Sequence, residues 1–174
     1  MQKDIYIQMN TDFLTPIHTV LEASLDVLLS GSIGSSIQIY TQKNGFPDLN
    51  NIEIAILGVD EDRNTDDNFG SGKDLHHIRS HLYKLFPGNW NVAIVDLGNI
   101  KKGETTSDTH FAITEVIKSL LKMNIIPIII GGGQDITFSN YKAYDQLEQT
   151  VNLVVVDSKF DLGNLEDKLS SKSY

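Results

Sequence analysis

The sequence predicts an α/β fold: a mostly parallel sheet with helices on both faces. Three observations carry this. Short runs that are apolar throughout recur along the chain, as strands buried on both faces require. Stretches with helical apolar spacing separate them. Glycines and acids stand at the carboxyl end of each run, where a strand hands over to a helix.

Composition sets the outer bounds. The chain has 174 residues, 40% of them apolar and 21% charged, enough for a real core and too apolar for wholesale disorder. With 23 acids against 14 bases the net charge is −9, which argues against nucleic acid or an anionic membrane as main partner. The absence of cysteine removes disulfides, thiolate metal sites and cysteine nucleophiles. The longest strongly apolar run, residues 125–130, is far short of the roughly 20 residues a membrane helix needs. Residues 1–4 lead into no secretory or lipidation signal, so a cytoplasmic protein is expected.

Residues 1–50 are expected to form a helical N-terminal extension, and residues 51–174 the α/β domain. Phe13, Leu14, Ile17, Leu21, Leu25, Leu28 and Leu29 predict a helix over 13–29, with Pro16 in its first turn. Small residues break the chain at 30–36, a short strand follows at 37–40, and Asn44-Gly45-Phe46-Pro47 marks a turn. Strands are then predicted at 52–59, 91–97, 125–130 and 151–157. Helices are predicted at 74–86, 108–123 and 135–149. Pro127 is the dissonant residue, tolerable early in its strand but not in the centre of a ladder.

Ligands of such sheets sit beyond the carboxyl ends of the strands. There Gly131-Gly132-Gly133-Gln134-Asp135 opens a helix. It is neither a dinucleotide fingerprint, whose third glycine would fall at Ile136, nor a Walker loop, which needs Gly-Lys-Ser/Thr. A tight structural turn and a ligand loop both remain open. Asp157, Lys159 and Asp161 alternate, so an extended chain points them to one side. Two carboxylates there suit a hard metal, but the ammonium between them repels one, and residue types favour a salt-bridged strand end. Asp60, Asp62, Asn64 and Asp66 follow calcium-loop spacing, yet Thr65 and Ser71 replace the required Gly and Glu, so a solvated loop is expected. His77 and His81 form an i, i+4 pair beside the apolar stripe and lack the Glu of H-E-x-x-H, which favours a solvated face. No serine has a partner pair for a nucleophilic triad on sequence grounds.

Residues 126–137, with the run Gly131-Gly132-Gly133-Gln134-Asp135, together with Asp157-Ser158-Lys159-Phe160-Asp161, resemble the arginase, or ureohydrolase, superfamily. Upstream, Gly58-Val59-Asp60-Glu61-Asp62, Asn68-Phe69-Gly70-Ser71-Gly72, Ile78-Arg79 and Asp96-Leu97-Gly98 are similar to its N-terminal half. The resemblance covers residues 52–163. It implies the first half of an arginase-like three-layer fold, with the C-terminal half absent. It also implies a pair of manganese ions that activate a water for attack on a linear amidine. By this resemblance Asp157 and Asp161 are metal positions and Asn68 is a substrate-binding position. Gln134 and Lys159 stand where the family pattern has histidines, G-G-x-H and D-x-H-x-D, and the third, S-x-D-x-D-like motif has no counterpart before Tyr174. The expectation is therefore a ureohydrolase-superfamily protein that is metal-free and catalytically inactive as given, with no cofactor in this chain. The alternative is the N-terminal part of a manganese-dependent hydrolase of amidines such as formiminoglutamate. A weaker alternative is a nucleotide-binding domain using Gly131, Gly132 and Gly133. A homo-oligomer is expected, because a sheet cut after its fourth strand leaves an edge uncovered. A small-molecule amidine is a partner only under the hydrolase alternative.

Overall fold

The computed structural model of the protein describes residues 9–65 and 69–157. Its sheet is built on β3 (Ile54–Val59), β4 (Ile94–Ile100) and β5 (Ile126–Ile130). β3 pairs in parallel with both others, so it is central. The free edge of β4 takes two short strands: β1 (Leu14–Thr15), antiparallel to Asn99 and Ile100, and β2 (Gln38–Ile39), parallel to Val95 and Asp96. The predicted mostly parallel α/β architecture is thus the observed one.

Side chains alternate along a strand, and the alternation sorts the helices. Ala55, Leu57, Val59, Val95 and Leu97 pack in one core with Ile113, Val116, Ile117 and Leu120 of α4 (Thr106–Lys122) and Ala143 of α5 (Ile136–Asp145). Residues Gly58 and Asp96 point to the opposite face, where Leu75 and Arg79 of α3 (Leu75–Leu82) meet them. A smaller cluster of Ile17, Leu21, Ile39 and Tyr83 is separate from the first core. The longest helix, α4, starts where a reciprocal capping box forms: the Thr105 hydroxyl accepts from the Asp108 N–H, and the Asp108 carboxylate accepts from the Thr105 N–H.

The N-terminal segment departs from expectation. In place of one helix over 13–29 the chain makes a single turn at Thr11–Phe13, strand β1, then α1 (Thr19–Glu22) and a turn at Leu25–Val27. Pro16 disfavours helical backbone at Thr15, and the free edge of β4 offers Leu14 and Thr15 a ladder instead. His18 then restarts the helix, its Nδ1 accepting from Val20 N–H at 3.2 Å. The small-residue breaker holds a further short helix, α2 (Ile33–Ser36).

Pro127 is resolved by ladder geometry. Ile126 N–H donates to Glu53 O at 2.8 Å. In a parallel pair alternate residues address opposite neighbours, so Pro127 faces away from β3 and its missing N–H falls on the outer edge. Among the described residues no strand lies against that edge. The predicted fourth strand, 151–157, is described but is not a strand. Val154 and Val156 are 86% and 98% exposed. β-propensity needs a lateral partner to act on, and this run has none in any described ladder.

Candidate functional site

The carboxyl ends of β3 and β5 meet in one crevice, formed by residues 60–65 and the glycine turn. Gly131 and Gly132 have φ of +79° and +84°, the left-handed region, and turn the chain off β5 toward α5. A Cβ on Gly131 would lie 2.4 Å from Leu75 Cδ2, so the turn also lets the loop settle onto α3. Gly133 N–H donates to Glu61 O at 2.7 Å and joins the two loops.

Glu61 is fully buried and is held by Arg63, whose Nε and Nη2 reach its two oxygens at 2.9 and 2.5 Å. Arg63 continues to Glu104 O at 2.7 Å and Gly103 O at 3.1 Å, tying the loop to the start of α4. Burial pushes the Glu61 carboxyl up, but the Arg63 hydrogen bonds outweigh it and bring the pKa down to about 2. Arg63 is raised in return, chiefly by its hydrogen bonds to Glu61.

Behind this pair lies a chain of polar side chains. Asp135 is fully buried; its Oδ2 accepts from Asn64 Nδ2 at 3.1 Å and lies 2.9 Å from His110 Nε2. His110 Nδ1 lies 2.5 Å from Ser139 Oγ on α5. Four buried side-chain oxygens around the crevice make no hydrogen bond: Asp60 Oδ1, Thr65 Oγ1, Ser71 Oγ and Asp135 Oδ1. Two of them, Thr65 Oγ1 and Asp135 Oδ1, flank Gly133, where a Cβ would stand 2.4 and 2.6 Å away. Buried polar atoms are normally satisfied, so these four oxygens are exceptions.

A second, closed network sits on the α3 face. Asp96 receives Arg79 Nε at 2.7 Å, Arg79 Nη2 at 3.1 Å, Tyr83 OH at 2.8 Å and Gly98 N–H at 2.9 Å. Arg79 Nη1 also donates to Asn99 Oδ1 at 2.7 Å. Burial first, and then the Asp96 charge, raise the Tyr83 pKa far above its usual value, so it stays a donor. Gly98, at φ +74°, marks a bulge where β4 gains one residue on β3, and this aims Asp96 and Asn99 at Arg79.

The sequence-derived candidates fare unevenly. Gln134 lies in the turn between Gly133 and α5, and Asp157 ends the exposed run after α5. Asn68, Lys159 and Asp161 lie outside the described residues. Of the calcium-like positions, Asp62 Oδ2 accepts from Gly70 N–H at 2.7 Å and Asn64 Nδ2 donates to Asp135, while Asp66 lies outside the described residues. His77 and His81 share a hydrogen bond of 3.3 Å on the exposed side of α3. Sequence reasoning missed Arg63, His110 and Ser139. It also found no serine with a partner pair, whereas Ser139, His110 and Asp135 stand in a hydrogen-bonded row.

The β3–β5 crevice, with its glycine turn and acidic loop, falls within a segment that carries a family signature. Residues 52–173 match the Arginase family. The chain belongs to the arginase family. It is 28% identical over 122 residues to a formimidoylglutamase of Streptococcus gordonii, covering 64% of this chain and 36% of that protein. It is 30% identical over 122 residues to the formimidoylglutamase of Macrococcus caseolyticus, covering 66% and 38%. The fold is similar to part of that of Trypanosoma cruzi formiminoglutamase, solved with Mn2+, at a TM-score of 0.63 and 23% identity over 74% of this chain and 48% of that one. Bacillus subtilis formimidoylglutamase gives the same score and identity over 74% and 44%. The chain thus spans less than half the length of these arginase-family relatives.

Proposed function

We propose that this arginase-family chain holds no working binuclear metal centre and does not hydrolyse amidines by itself. The observation that carries the reading is Gln134, which occupies the turn where the family pattern places a histidine. An amide offers a weaker lone pair than imidazole, and Lys159 brings a charge that repels the ion. Asp135, the next residue, meets His110 and Asn64 with Oδ2, and its remaining oxygen, Oδ1, is too little to replace the missing histidine ligands of a manganese pair. The residues present therefore do not fit a manganese pair. By residue type, the positive charge of Lys159 offsets the negative charges of Asp157 and Asp161 and disfavours a metal there.

The test is direct. The chain is purified with excess manganese, its metal content measured by mass spectrometry, and ammonia release from formiminoglutamate followed. Absent metal and absent turnover are expected. Two manganese ions per chain, or turnover, would overturn the reading. The relatives favour a second reading, in which the chain is the N-terminal part of a manganese-dependent hydrolase of linear amidines such as formiminoglutamate. Under it, metal and activity would appear only on adding the complementary half of the fold. In either case a cytoplasmic location agrees with the cysteine-free composition, and no described helix is long and apolar enough to cross a membrane.

A further inference from the structure

We propose that Ser139 is an activated nucleophile that takes up small acyl groups, served by His110 and by Asp135, the residue that follows Gln134. The row of hydrogen bonds supplies the parts such chemistry needs: a hydroxyl, a base within reach, and a third group that orients the base. Ser139 Oγ lies 2.5 Å from His110 Nδ1, and His110 Nε2 lies 2.9 Å from Asp135 Oδ2. A buried carboxylate on Nε2 keeps the proton on that nitrogen and leaves the Nδ1 lone pair facing the serine. The Thr114 hydroxyl donates to His110 O at 2.9 Å and Ser139 O at 3.2 Å, locking α4 to α5 at this level.

The row opens on a cavity of about 170 Å³ between α4 and α5, lined by His110 and Ser139 with Ser107, Phe111, Phe138 and Lys142. Ser139 is 1% exposed, so only a small acyl group can reach it. Lys142 lines the same cavity, and its charge favours a carbonyl that gains negative charge there. In the step itself, Ser139 Oγ bonds to the carbonyl carbon of an ester while His110 Nδ1 takes the hydroxyl proton. The ester C–O bond then breaks, and the alcohol leaves with that proton. Water later hydrolyses the acyl-serine by the same route in reverse.

The test uses p-nitrophenyl acetate and a fluorophosphonate on the full chain, read by intact mass and peptide mapping. One acetyl or phosphonyl group on Ser139 is expected, with a burst of p-nitrophenolate close to the protein concentration. Ser139→Ala should abolish the burst, and His110→Gln should slow it by about 10²–10⁴-fold, the usual share of a general base. Circular dichroism of each variant separates loss of chemistry from loss of fold. If either substitution unfolds the chain, the mapped site in the unmodified protein decides. No adduct on Ser139 of the folded protein, or equal labelling of Ser139→Ala, would overturn the proposal.

Discussion

Asp96→Asn tests the closed network on the α3 face. The carboxylate takes four donors, with Arg79 Nη2 and Gly98 N–H on Oδ1 and Arg79 Nε and Tyr83 OH on Oδ2. Asparagine keeps the shape but has one acceptor oxygen, so its amide N–H₂ must face two of those donors. Tyr83 can turn its hydroxyl to accept; the guanidinium cannot. At least one buried cationic N–H then lacks an acceptor, and Arg79, itself 1% exposed, loses the carboxylate of its ion pair. Breaking a buried pair from one side costs about 3–5 kcal/mol, against a total of about 5–15 for a domain. Tyr83→Phe removes one donor and leaves the ion pair, so its cost should be nearer 1.5–3 kcal/mol, roughly that of one bond to a charged group. Urea unfolding followed by far-ultraviolet circular dichroism measures both. The double variant Arg79→Met with Asp96→Leu should recover much of the Asp96→Asn loss, because no buried charge is left. A loss below about 1 kcal/mol for Asp96→Asn would refute the assignment of this pair as a structural keystone.

Three further outcomes are expected. Glu61 has a folded pKa of about 2 against an ordinary 4.5, so its contribution is complete above 4.5 and fades as pH falls through 2; Glu61→Gln should flatten the acid limb of a stability–pH curve in that window. Gly58→Ala should destabilise by about 2–4 kcal/mol in the same urea assay, since its Cβ would lie 2.1 Å from Asn99 Oδ1 and 2.8 Å from Arg79 Nη1. Gln134→His with Lys159→His should raise manganese affinity in calorimetry without giving formiminoglutamate hydrolysis, because a full ligand set is still lacking.

Much of the architecture was legible because it rests on local rules. The runs at β3, β4 and β5 are mostly apolar, and the helices between them repeat at the helical period, so each element is specified by its own residues. The errors fall where tertiary partners decide. Leu14 and Thr15 read as helix by spacing, yet the edge of β4 takes them as a strand. Residues 151–157 read as strand by composition, yet they belong to no described ladder. Pro127 read as a flaw until the ladder showed which side its nitrogen faces. That side is the edge of β5 on which no described strand lies, and Ile126 and Ile128 are also exposed. Edge proline is a known defence against unwanted pairing, which bears on the expected self-association: a missing donor weakens any strand docked there.

The crevice was legible in place but not in content. Glycines and acids at strand ends announced where chemistry belongs, and the Gly131 turn and its neighbours carried the family pattern. What the linear order hid is how the acids are spent. Asp62 and Asn64 look like ligands by spacing, but one binds a backbone N–H and the other donates to Asp135. His110 and Ser139 are 29 residues apart, each on a buried or half-buried helix face. No periodicity rule links two such positions, because α4 and α5 set their approach by packing and not by spacing. A polar residue at a core-facing helix position is the only trace such a pairing leaves in sequence. Thr109, Thr114 and Ser139 are all of that kind. Burying a hydroxyl without a partner is costly, so several on facing helices foretell a shared network even when its members cannot be named. That reasoning would have directed attention to the α4–α5 seam before any coordinate was known.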